Sequence, residues 1–112
     1  MSSRKAPARG SKPERLFAAL GDRTRLSLLT KLSDGRTRSI SRLSTGTRLT
    51  RQAVTKHLRV LEQAGLVNST RTGRESHFIL RSEPIVEMKD YLEKVSRQWD
   101  DALARLKQFV ES

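Results

Sequence analysis

Apolar residues along the 112-residue chain recur at helical spacing in five blocks, and glycine or proline breaks the pattern between them. The first block runs from Pro13 to Leu20, with Leu16, Phe17, Ala19 and Leu20 on its apolar face; proline suits an opening turn and Gly21 stops it. Asp22 can cap a second helix reaching about Ser33, with Leu26, Leu29 and Leu32 expected on one inward side. After Asp34-Gly35 comes a short helix near Ser39–Ser44, with Ile40 and Leu43 inward. A turn, Thr45-Gly46-Thr47-Arg48-Leu49, leads to a longer helix over about Thr50–Ala64 that ends at Gly65. Two such helices joined by a turn predict a helix-turn-helix.

Residues Leu66–Arg71 and Ser76–Arg81 are rich in β-formers, and Thr72-Gly73-Arg74-Glu75 joins them into a hairpin with a basic tip. The last helix is predicted from about Pro84 to Val110. It carries a regular heptad, with Ile85, Leu92, Trp99 and Leu106 in one column and Met88, Val95, Ala102 and Phe109 in the other. Three of the chain's five aromatics, Tyr91, Trp99 and Phe109, lie on this helix. One small domain has little with which to cover so long a seam, so a second copy of the chain is expected to pack on it. The predicted fold is mostly α, a winged helix-turn-helix of five helices with a two-stranded β wing and a long C-terminal dimerisation helix. Its organisation is read as a disordered basic arm at 1–12, a DNA-binding domain at 13–82 and the dimerisation helix at 83–112.

Charge sharpens this reading. Residues 1–82 hold 18 Lys+Arg and 5 Asp+Glu, a net of +13, whereas 83–112 hold 5 and 7, a net of −2; together they make the +11 of the whole chain. Segregation of this kind indicates a polyanion-binding body followed by a segment with a different task. On the helix at 50–64, Val54, Leu58 and Leu61 fall together, while Gln52, Lys56, Arg59 and Gln63 fall opposite with Thr55 on the flank. A recognition helix enters the major groove by its N-terminal half, where Arg can bind guanine and Gln adenine. Base reading is therefore assigned to Arg51, Gln52 and Thr55, with Thr50 at the helix start and Lys56 shared between bases and phosphate. Arg59, Arg38 and Arg48 are expected on phosphates, and Arg71, Arg74 and Arg81 lie on or beside the hairpin, with Arg74 best placed at its tip. His57 is expected at the edge of the core, packed and hydrogen-bonded, with a phosphate contact as the alternative.

The chain has no cysteine and two histidines, His57 and His77, on different elements. No nucleophile–base pair can be argued, so the chain is not expected to be an enzyme. No apolar run approaches membrane-spanning length and no apolar stretch follows the basic start, so a cytoplasmic protein is expected.

The segment Phe17-Ala-Ala-Leu-Gly-Asp-Arg-Thr-Arg25-Leu resembles the opening signature of the ArsR/SmtB family of bacterial repressors. The segment Arg51-Gln-Ala-Val-Thr-Lys-His57-Leu-Arg-Val-Leu-Glu-Gln-Ala-Gly65-Leu-Val resembles that family's recognition helix and first wing strand, and Gly73-Arg74 its wing turn. The last helix, with Ser96-Arg-Gln-Trp99-Asp-Asp-Ala-Leu-Ala-Arg-Leu106, is similar to a metal-free branch. The resemblance implies a homodimer whose first and last helices form the interface. From the chain's own residues these would be Leu16, Phe17 and Leu20 with Ile85, Met88, Leu92, Val95, Trp99, Ala102, Leu106 and Phe109. It further implies binding to an imperfect palindrome of double-stranded DNA and repression by blocking polymerase, with DNA contacts at Arg51, Gln52, Thr55, His57 and Arg74. The chain departs from the family's metal sensors. Its short helix has no thiol and its last helix no histidine, so neither a metal nor another cofactor is expected. The turn from Gly46 to Thr50 is also about two residues longer than is usual. Two other readings stand beside the repressor: an architectural protein that coats DNA without sequence preference, and an interaction module that offers its last helix to an unrelated partner.

Overall fold

The computed structural model describes residues 13–111, so the arm predicted at 1–12 lies outside the described residues. Helix α1 (Pro13–Leu20) is followed by α2 (Arg23–Lys31), strand β1 (Arg38–Ser39), α3 (Ile40–Ser44) and α4 (Arg51–Gln63). Strands β2 (Val67–Thr72) and β3 (Glu75–Leu80) then form the hairpin, and α5 (Ser82–Glu111) ends the fold. Three of the helix starts are fixed by the same device. Asp22, Ser39 and Thr50 each sit in extended backbone and accept a hydrogen bond from the N–H three residues on. Helix α4 stops in a Schellman turn. Gly65, at φ +83°, lets its own N–H reach the Glu62 carbonyl while Leu66 N–H reaches that of Leu61.

Phe78, Leu16, Leu28, Leu32, Leu43, Leu58, Leu61 and Leu66 are almost wholly buried, and α1, α2, α3, α4 and the sheet close around them. Helix α5 adds only its first turns, where Met88 is buried and Ile85 packs against the cluster. At about 1.5 Å per residue its 30 residues extend about 45 Å. Beyond Met88 most of its apolar positions stay open: Leu92, Leu106 and Trp99 are 52%, 57% and 64% exposed and Phe109 is 80% exposed, while Val95 and Ala102 are half-buried.

The structure corrects three details. The sheet has three strands in the order β1-β3-β2, not two. Arg38 pairs with Phe78 and Ser39 with His77, so the segment leading into α3 becomes a short strand on the wing's inner edge. On α2 the inward residues are Leu28, Leu29 and Leu32, whereas Leu26 is 49% exposed. That helix packs on α4 as well as α1, so its buried stripe is turned from the 26–29–32 line. Finally Leu16, grouped with the interface, is 1% exposed inside the chain's own core and has no surface to give a second chain; Met88 too is mostly spent there.

Candidate nucleic-acid interface

Helix α4 buries Val54, Leu58 and Leu61 completely, as its periodicity requires, and turns the polar face outward. Arg51, Gln52, Lys56 and Arg59 are exposed and Thr55 half-buried. Arg51, Gln52 and Thr55 line one open depression on the first turns of the helix. Their bonding states differ. The Thr50 hydroxyl oxygen accepts from Ala53 N–H at 3.1 Å, and the Thr55 hydroxyl donates to the Arg51 carbonyl at 2.7 Å. With its proton engaged, Thr55 can offer a base only an acceptor and its methyl group. The side chains of Arg51, Gln52 and Lys56 meet no hydrogen-bond partner among the described residues, so their donors are uncommitted.

The cations assigned to phosphates also divide. The Arg38 guanidinium lies 2.6 Å from Asp34, and that of Arg59 donates to Glu62 at 2.9 Å. Exposed pairs of this kind are worth about 0.2–1 kcal/mol, which a phosphate can outbid. Glu62 also accepts from the Ser69 hydroxyl and so ties α4 to β2. Arg48 and Arg74 are exposed, one before α4 and the other in the wing turn. In that turn Thr72 faces Glu75, and Gly73 supplies the positive φ (+63°) that a two-residue loop needs. The Arg71 Nε reaches back toward the Gly73 carbonyl at 3.5 Å. Ser41 on α3 donates to Glu75 at 3.2 Å, so the base of the wing turn is held against the first helix of the motif.

His57 sits half-buried at the edge of the core, beside Arg25 and Asp22. Arg25 donates through Nε to the Ala19 carbonyl and through Nη2 to that of Ala18 at 3.4 Å, capping α1. Its Nη1 lies 3.3 Å from His57 Nδ1, and Asp22 Oδ2 lies 3.7 Å from the same nitrogen. With Nδ1 accepting from Arg25, the neutral ring keeps its proton on Nε2, the nitrogen left for a phosphate. The backbone N–H of Arg25 holds the Asp22 carboxyl below its ordinary value, with the charge of Arg25, and that of His57 in its protonated form, adding to the effect against partial desolvation. Asp22 and Arg25 thus join α1 and α2 to α4.

Among the described residues, no group of three or more His, Asp or Glu side chains could hold a metal ion, and no helix is long and apolar enough to cross a membrane.

A helix-turn-helix domain family matches residues 20–70. The chain is 41% identical to an uncharacterized HTH-type transcriptional regulator, YuzN, of Bacillus subtilis (strain 168), over 62% of this chain and 83% of that one. Among solved structures, an ArsR-like transcriptional regulator from Rhodococcus sp. RHA1 superposes with a TM-score of 0.74 at 37% identity, over 87% of this chain and 91% of that one. The homodimeric winged helix-turn-helix DNA-binding domain of a possible ArsR-family regulator from Mycobacterium bovis shares the fold, with a TM-score of 0.61 at 24% identity over 88% and 89% of the two chains.

Proposed function

The chain belongs to the ArsR family of winged helix-turn-helix transcriptional regulators, and from that premise we propose that it is a homodimeric repressor that binds a palindromic operator. The observation that carries the proposal is the outer face of α4, where Arg51, Gln52 and Lys56 stand exposed with uncommitted donors beside a wing tipped by Arg74. Arg51 and Gln52 read base edges by bidentate hydrogen bonds, Thr55 adds an acceptor and a methyl contact, and Lys56 bridges base and backbone. Arg74 reaches the minor groove or its phosphates from the wing. The exposed half of α5 pairs with its copy in a second chain, and Phe17 and Leu20 of α1 border the same face. Two reading helices related by a two-fold axis require a site of the same symmetry. Repression follows from occupying DNA that polymerase needs.

The test is to select binding sequences from random duplex DNA with the purified protein, then compare the winner with scrambled DNA at about 150 mM salt. A palindromic winner preferred by about 10³ or more is the expected result. Equal binding to all duplexes sinks the operator-reading proposal and leaves a protein that coats DNA.

A further inference from the structure

We propose that Arg23 and Arg48 form a second phosphate seat beside the recognition helix, gripping the DNA backbone just outside the bases that α4 reads. The proposal rests on the DNA-reading role above and extends it to an α2 residue.

The long turn before α4 is laid along α2. Lys31, at the end of α2, donates to the carbonyls of Leu43 and Thr45 at 3.2 and 3.1 Å, which fixes the turn where it leaves α3. One helical turn and two turns back along the same side of α2 stand Ser27, Thr24 and Arg23. With Thr47 and Arg48 they line a hollow of about 250 Å³. No acidic side chain lines it. Arg23 and Arg48 are exposed, and neither guanidinium meets an acceptor among the described residues. In this they differ from Arg25, Arg38 and Arg59, whose charges are committed to carbonyls or carboxylates. The neighbouring carboxylate, Asp22, is engaged on the other side with the Arg25 N–H and near His57.

Position supplies the partner. Arg48 stands two residues before Thr50, the cap of α4, and that end of the helix enters the groove. A hollow there faces the strand that borders the groove. Two guanidiniums with the Thr24 and Ser27 hydroxyls between them suit the planar, multidentate recognition of a phosphate diester.

The experiment is a salt titration of binding to the selected duplex, followed by fluorescence anisotropy. Arg23→Gln/Arg48→Gln is compared with wild type and with Lys94→Gln/Arg97→Gln, which removes the same charge from the α5 face opposite the heptad seam. Each lost phosphate contact lowers the slope of log K against log salt by about 0.9, so four arginines in a dimer lower it by about 3.6. The expected result is that drop for Arg23→Gln/Arg48→Gln alone, with the base preference unchanged and the slope retained in Arg23→Lys/Arg48→Lys. A slope equal to wild type, or a drop matched by the α5 control, overturns the seat while leaving the reading helix intact. Lost base preference in the glutamine pair also overturns it. Wild-type protein that binds no duplex sinks the DNA-reading proposal itself, and the seat with it.

Discussion

Replacing Trp99 with alanine tests the dimer most directly. The ring is 64% exposed in the single chain, on the seam that also carries Leu92 and Leu106. A large aromatic side chain buries about 200 Å², so roughly two thirds of that, about 130 Å², is available to a partner. At about 25 cal/mol/Å² this corresponds to about 3 kcal/mol for each protomer. A two-fold interface loses the contribution twice. Incomplete burial and the ordering of side chains cut the sum by about half, which leaves about 3 kcal/mol, or a hundredfold weaker Kd for dimerisation. Sedimentation over a concentration series reads that shift. Trp99 is the only tryptophan, so the wild-type emission should also move to shorter wavelength as the dimer forms. The melting temperature of dilute, monomeric protein should barely change, because the ring lies outside the buried cluster. An unchanged Kd refutes the assignment of the seam to a second chain.

Three further outcomes are expected. Gln52→Ala and Arg51→Ala should each lose about 1–3 kcal/mol of discrimination at the base pair they read, with thermal stability unchanged because both side chains are exposed; binding arrays of single-base operator variants measure this. Phe78→Ala should cost about 3–5 kcal/mol by denaturant titration, since the ring is fully buried between β1, β2 and the helices. The Asp22 carboxyl is held below its ordinary 3.8 by the Arg25 N–H and the nearby charges, so its contribution to stability is fully present above that value and disappears as pH falls through the lower folded one. The stability gap between wild type and Asp22→Ala should therefore narrow as pH falls through the acid range, and a gap that is constant with pH contradicts the role given to the charge.

Most of the fold is legible because its signals are local. The cap at Asp22, the break at Gly65, the Gly73 turn and the heptad of α5 all depend on residues within one or two turns of each other. The reading of α4 succeeds for the same reason: one helix with one buried face has a single phase, and Val54, Leu58 and Leu61 set it. What escapes depends on distant partners. Arg38-Ser39 has no strand pattern and becomes β1 only because β3, some forty residues later, offers an open edge. Leu26 and Leu28 exchange places because α2 has neighbours on more than one side. Arg25 looks like another surface cation until the end of α1 presents the carbonyls of Ala18 and Ala19 to it. Two commitments were nonetheless readable, since Asp34 with Arg38 and Arg59 with Glu62 stand four and three residues apart.

Strand β1 has a mechanical consequence. It bonds the hairpin to the residues that open α3, and the Ser41–Glu75 hydrogen bond adds a second strut near the tip. The wing is therefore a rigid outrigger of the helix pair, and the span from Arg74 to the first turn of α4 is a fixed gauge. A gauge cannot stretch to follow DNA whose groove-to-groove interval has changed. Under the docking proposed above, twist and groove width between the two contact points would alter binding without any contact to the bases that set them.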